Sequence, residues 1–156
     1  MLSFAMLYRP PAPSDLPALN AMILRSKAYW GYDADFMAAC EAELSLTPAH
    51  LAAGQYQGAY DGEIPVGLAG LEVEGAGLGL SHLFVDPDYF GKGVGRALMD
   101  WALSRARLSA CPQIIIHADP GARGFYESLG GVYQGEVKSG SIEGRSLPCL
   151  TLPTGA

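Results

Sequence analysis

Gly91, Gly93 and Gly95 alternate along Phe90-Gly91-Lys92-Gly93-Val94-Gly95-Arg96. With no side chain at every second position, several backbone N–H groups stand unobstructed and can converge on one point, which is the chemistry of an anion cradle. Lys92 and Arg96 add positive charge suited to phosphate. The spacing is not the G-x-x-x-x-G-K-[ST] of a nucleotide P-loop, and it departs from the dinucleotide G-x-G-x-x-G at Arg96. The same glycines would also serve a tight turn that binds nothing. What favours a ligand is order, since a strand and loop precede the glycines and an amphipathic helix follows them.

The elements that must hold this loop can be read from periodicity. Ala5–Arg9 predicts a short strand closed by Pro10-Pro11, and Ser14 or Asp15 starts a helix carrying Leu16, Leu19, Met22 and Ile23 that ends before Gly31. Asp35–Ser45 predicts a second helix, with Asp33 or Asp35 at its start. The period then changes. Gln55–Tyr60, Ile64–Val73 and Gly77–Val85 read as an antiparallel meander turned at Asp61-Gly62 and Gly75-Ala76-Gly77. After the glycine loop, Ala97, Leu98, Trp101, Ala102 and Leu108 mark a helix, and Gln113–His117 predicts a central strand covered on both faces. Asp119-Pro120 caps a helix over Pro120–Leu129, stopped by Gly130-Gly131. Val132–Val137 and Arg145–Leu152 close the chain as strands. The order is β-α-α-β-β-β-α-β-α-β-β, an α+β arrangement with a mixed, mostly antiparallel central sheet flanked by helices.

Composition sets the outer limits. The 156 residues, 49% hydrophobic and 17% charged, suit one domain over 1–156 with one core. No run nears the roughly 20 apolar residues of a membrane span, and Met1–Leu7 lacks the basic flank and cleavage site of a signal peptide, so a cytoplasmic protein is expected. A net charge of −6 argues against nucleic acid as a partner. Residues 1–89 hold three basic and eleven acidic side chains, a net of −8, and 90–156 hold seven and five, a net of +2. That division suits a phosphorylated cofactor on the C-terminal half and a cationic acceptor on the other, or else is a chance asymmetry of solvated surface. Cys40, Cys111 and Cys149 form no C-x-x-C, and His50, His82 and His117 have no ligand spacing, so neither a disulfide framework nor a metal is expected.

Leu83-Phe84-Val85-Asp86-Pro87, followed by Phe90-Gly91-Lys92-Gly93-Val94-Gly95-Arg96-Ala97-Leu98, resembles the acetyl-CoA-binding motif of the GNAT N-acetyltransferases. A second signature, Asp119-Pro120-Gly121-Ala122 with Phe125-Tyr126-Glu127 and Leu129-Gly130, is similar to that family's D-P-N-A-x-x-F-Y-x-x-x-G element. The resemblance runs from about residue 7 to 152. It implies a GNAT-like fold and a cofactor site of Leu83, Phe84, Val85, Phe90, Gly91, Lys92, Gly93, Val94, Gly95, Arg96, Asp119, Ala122, Phe125 and Tyr126. The Leu83–Val85 backbone would pair with the pantetheine arm as an added strand, the Gly91–Arg96 amides would hold the pyrophosphate, and an N–H near Phe84 or Val85 would polarise the thioester carbonyl. Tyr126 would protonate or hydrogen-bond the departing thiolate, its alternative being a core aromatic beside Phe125.

Two positions depart from the family pattern: Phe90 stands where Arg or Gln usually opens the loop, and Gly121 replaces the usual Asn. The general base is open as well. Gly79 occupies the position where several members carry a catalytic Glu, leaving Glu72, Glu74, Ser81 and His82 as candidates, of which Glu72 and His82 are carried forward. Tyr29, Trp30 and Tyr32, with Asp33, form an aromatic segment between the first two helices that could wall an acceptor pocket or simply close the core. Gly144–Pro148 would border the same cleft. The expected reaction is direct transfer from acetyl-CoA to a primary amine of a small molecule or peptide in a ternary complex. A CoA-binding sensor without turnover, an enzyme using a longer acyl-CoA or an O-acceptor, and a nucleotide-binding module of another fold are the rival readings. Family members often dimerise, and Leu147–Leu152 is the expected homodimer contact.

Overall fold

The computed structural model describes residues 6–156. Its strands form one seven-stranded sheet in the order β1-β2-β3-β4-β5-β7-β6. They are β1 (Met6–Arg9), β2 (Gln55–Asp61), β3 (Ile64–Glu74), β4 (Gly77–Val85), β5 (Gln113–His117), β6 (Val132–Lys138) and β7 (Ser146–Pro153). Five helices flank it: α1 (Leu16–Ala28), α2 (Ala34–Leu44), α3 (Pro48–Ala53), α4 (Val94–Leu108) and α5 (Arg123–Ser128). Ala5, the first residue of the predicted opening strand, lies outside the described residues.

The meander β2-β3-β4 is antiparallel, as the turn signals require. α1 packs on one face through Leu19, Met22 and Ile23 against Tyr56 and Leu68. α4 packs on the other through Val94 and Leu98 against Ala59, Val66 and Ala69. Gly67 permits that approach, because a Cβ built there would lie 2.9 Å from both Val94 and Leu98.

β4 carries a bulge. The register passes from Leu71↔Leu80 to Gly70↔His82, leaving Ser81 unopposed. Leu80 packs with the core under α4, whereas His82, two residues on, lies by Leu44 at the end of α2. Beyond this bulge β4 has no partner on its far side. It pairs with β5 in parallel only at Leu78↔Ile114 and Gly79↔Ile115, so the sheet splits into a V between Leu80–Val85 and Ile116–Asp119.

Three expectations need correction. β5 is covered on one face: Ile114 and Ile116 are fully buried toward α4, while α1 packs on β3 and β4 and leaves Ile115 half-buried. The predicted helix over Pro120–Leu129 begins as a single 3-10 turn and becomes α-helical only from Arg123. β7 lies between β5 and β6, with both edges hydrogen-bonded and Leu150 and Leu152 buried, so the expected dimer contact through Leu147–Leu152 has no free strand edge to use. α3 went unassigned in the sequence, although Thr47 and Pro48 are its N-cap and first residue.

Candidate active site

The V opens into a cleft of about 570 Å3. Leu80, Ser81, Leu83, Phe84 and Val85 form one wall and Ile116, His117, Ala118 and Asp119 the other. Phe90, Gly91, Gly93, Val94, Gly95 and Arg96 close one end, joined by Ala122, Phe125 and Tyr126. Lys27, Trp30, Glu43, Ser141 and Arg145 also line the cleft, with Trp30 against Gly121. Among the residues singled out from the sequence, Lys92, Tyr29, Tyr32, Glu72 and His82 do not line this cleft.

Gly91 and Gly93 have φ of 76° and 80°, the left-handed region in which a side chain is strained, and Gly93 is the N-cap of α4. With no capping side chain, the first-turn amides of α4 face the cleft beside the positive end of the helix dipole. Nearby, Phe125 and Val85 flank Gly95 at ordinary van der Waals distance from where its Cβ would be. The unpaired edge of β4 and this helix start together suit an extended chain ending in phosphates.

Both departures from the family pattern have structural partners. A Cβ on Gly121 would sit 2.6 Å from the six-membered ring of Trp30, so the indole occupies the room of the missing side chain. Phe90 meets Tyr29 edge-on at 4.8 Å. Tyr29 itself is exposed and lies outside the cleft. Asp33 spends its carboxylate as the N-cap of α2, accepting from the Phe36 amide at 2.9 Å.

Tyr126 is buried at the α4 side of the cleft, where burial, and then the charge of Asp119, push its phenol well above the ordinary range. It therefore stays protonated at any physiological pH. Asp119 accepts from Lys27 Nζ at 2.8 Å, from the Tyr32 hydroxyl at 2.6 Å and from the Gly121 amide at 3.1 Å. Burial works against its charge, but the bonds from Lys27 and Tyr32 outweigh it and hold the carboxyl below its usual range. Tyr32, buried and bonded to Asp119, is pushed up to about 12.

The candidate bases separate. Glu72 accepts from Tyr56 at 2.7 Å and lines a different depression, with His50 and Val73. His82 is buried between Ser81 (3.0 Å) and the Leu44 carbonyl (3.3 Å), and burial lowers its pKa. Both expectations of a base in direct reach of the cleft are thus corrected, because the bulge sends His82 beneath α2 and Glu72, on the same face of β3 as Glu74, turns toward Tyr56 of β2. Glu74 is placed otherwise. Its carboxylate lies over Gly79, in the space a side chain there would fill, and reaches His117 Nε2 at 3.3 Å. His117 lines the cleft, on the face opposite Ile114 and Ile116. Sequence reasoning missed this pair because its members are far apart in the chain; the signal was Gly79 itself, an unfilled position between an acidic residue and the β5 histidine. It also gave no role to Lys27.

A family model described as an acetyltransferase (GNAT) domain matches residues 36–139. The chain belongs to the GNAT acetyltransferase family. No curated protein matches it by sequence. Among solved structures, the PaiA N-acetyltransferase of Thermoplasma acidophilum in complex with coenzyme A is 16% identical, with a TM-score of 0.81 over 96% of this chain and 99% of that one. A GCN5-related N-acetyltransferase of Rhodopseudomonas palustris is 23% identical, with a TM-score of 0.78 over 98% and 99%. The yncA protein of Salmonella typhimurium, solved with its cofactor acetyl-CoA, is 18% identical, with a TM-score of 0.67 over 96% and 94%. These likenesses establish the GNAT fold, and the split between β4 and β5 opens into a cleft of about 570 Å3 in this acetyltransferase. None of the described helices is long and apolar enough to cross a membrane, and the described residues hold no group of three or more His, Cys, Asp or Glu suited to a metal.

Proposed function

We propose that this GNAT protein transfers the acetyl group of acetyl-CoA directly to a primary amine of a small molecule or peptide. The observation that carries the reading is one cleft joining an unpaired strand edge at Leu83–Val85, a glycine-opened helix start at Gly91–Arg96, and the buried phenol of Tyr126. These residues fit the cofactor: the α4 amides take its pyrophosphate, and the free β4 edge takes the amides of its pantetheine arm. Acetyl-CoA, when bound, supplies the acyl group as an activated thioester.

The chain's own residues divide the proton work across the sheet. His117 faces the α1 side and takes the proton that the attacking amine must lose; Glu74 steadies the resulting imidazolium. A backbone N–H near Phe84 or Val85 donates to the carbonyl oxygen as charge gathers there. Tyr126, packed in the core on the α4 side, donates its proton to the departing sulfur. No covalent bond to the enzyme is needed, and Cys111 and Cys149 do not line the cleft.

Gly79 and Gly121 are the two features that favour a non-catalytic sensor in sequence. Glu74 and Trp30 fill their places, which removes that ground. Calorimetric titration with acetyl-CoA, followed by thiol release over a panel of amines, tests the reading. Binding with amine-dependent release supports it; binding with no release from any amine returns the sensor, and competition by longer acyl-CoA thioesters reads the acyl preference.

A further inference from the structure

Lys27, Arg145 and Asp119 meet at the α1 side of the cleft with side chains only 12%, 18% and 12% exposed. Lys27 Nζ stands 2.8 Å and Arg145 3.5 Å from the same Asp119 oxygen. Two cations thus share one carboxylate, and a net positive charge is left in a poorly solvated place. Such an excess calls for a counter-anion.

The neighbourhood supplies none of its own. Arg145 uses one terminal nitrogen on Tyr32 (2.7 Å) and Asp119, and its guanidinium and Lys27 Nζ both lie over the stacked rings of Tyr32 and Phe36. The remaining carboxylate of the cleft wall, Glu43, is exposed and lies against Gly140. The cofactor's phosphates have their own cradle at α4, which packs on the opposite face of the sheet from α1. Asp119 follows His117 by two residues of extended chain, roughly 6–7 Å.

Building on the amine-acetylation reading above, we infer that the acceptor carries a carboxylate a few bonds from its reacting amine, held by Lys27 and Arg145: the acceptor is an amino acid rather than a simple amine or polyamine. Charge-assisted hydrogen bonds to a carboxylate discriminate strongly against neutral isosteres.

The test uses matched sets of an amino acid, its amide, its decarboxylated amine and its aminophosphonate analogue. The expected result is kcat/KM for the amino acid about tenfold or more above its amide and amine, with the ratio falling toward one in Lys27→Met and Arg145→Met and partly kept in Arg145→Lys. Equal rates for amino acid and amide overturn the inference while leaving the acetyltransferase reading intact. Preference for the aminophosphonate overturns the carboxylate assignment. Should no amine release thiol, calorimetry with an N-acetyl amino acid and its amide in the presence of CoA decides independently: selective binding of the acid upholds the site, and equal binding removes it. A fall in CoA affinity in Lys27→Met, without loss of acid selectivity, would assign the cations to the cofactor instead.

Discussion

The indole of Trp30 covers Gly121 so closely that a Cβ on residue 121 would stand 2.6 Å from the ring. The two are 91 residues apart in the chain, yet neither can be altered without reference to the other. A ring from the end of α1 has replaced the side chain that the family carries on the β5–α5 loop. Gly121→Asn should therefore destabilise the protein by about 1–3 kcal/mol, the usual cost of overpacking. Adding Trp30→Ala should restore most of it. Chemical denaturation of both singles and the double reads the coupling, and additive effects would separate the two positions.

Tyr126→Phe removes one oxygen from a buried ring. Its turnover should fall about 10²-fold, the ordinary share of a positioned acid, with acetyl-CoA affinity unchanged in calorimetry. Unchanged turnover would leave Tyr126 a core aromatic.

His117→Ala should lower kcat by a similar factor and regain rate when imidazole is added to the assay. Glu74→Gln should cost less, because the imidazole remains. Gly79→Ala is the sharper probe. It keeps both residues but puts a methyl group where the Glu74 carboxylate lies, pushing it away from His117, and it should reproduce the Glu74→Gln loss; wild-type rates would detach the pair from the chemistry.

Asp119 ties α1, β5 and the approach to β7 together. Its carboxyl is held below the ordinary 3.8 in the native state. The stability it contributes is accordingly full above that value and lost as pH falls through it toward the native pKa. Asp119→Asn leaves Lys27 and Arg145 with no carboxylate in a half-buried site and should cost about 3 kcal/mol. It should also flatten the acid limb of a stability-against-pH curve between wild type and variant. Identical acid limbs would contradict the assignment.

Much of this molecule is legible in its sequence because the signals are local. The meander, the glycine loop and the Asp119 cap each depend on residues within a few positions, and all stand where the pattern puts them. The acceptor end is different. Lys27, Asp119 and Arg145 come from three separate elements, and the linear charge division is reversed there: a lysine from the acidic half meets an aspartate from the basic half. The bulge at Ser81 is equally hidden. One unpaired residue inverts the facing of His82, and nothing in Leu80-Ser81-His82-Leu83 announces it.

The hydrogen-bonded ladder between β4 and β5 has only two residue pairs, Leu78↔Ile114 and Gly79↔Ile115, while Met99, Ala102 and Ala106 of α4 share one core with Leu71 and Leu78 on one side and Ile114, Ile116, Leu150 and Leu152 on the other. Above that shared core the ladder is open, so the two lips of the split lack the rungs that join every other pair of neighbouring strands. A ligand lying along the split replaces the missing rungs of the ladder. Cofactor binding then does more than fill a site: it ties the two lips together, so that amides of β5, remote from the phosphate cradle, exchange with solvent more slowly once the cleft is filled.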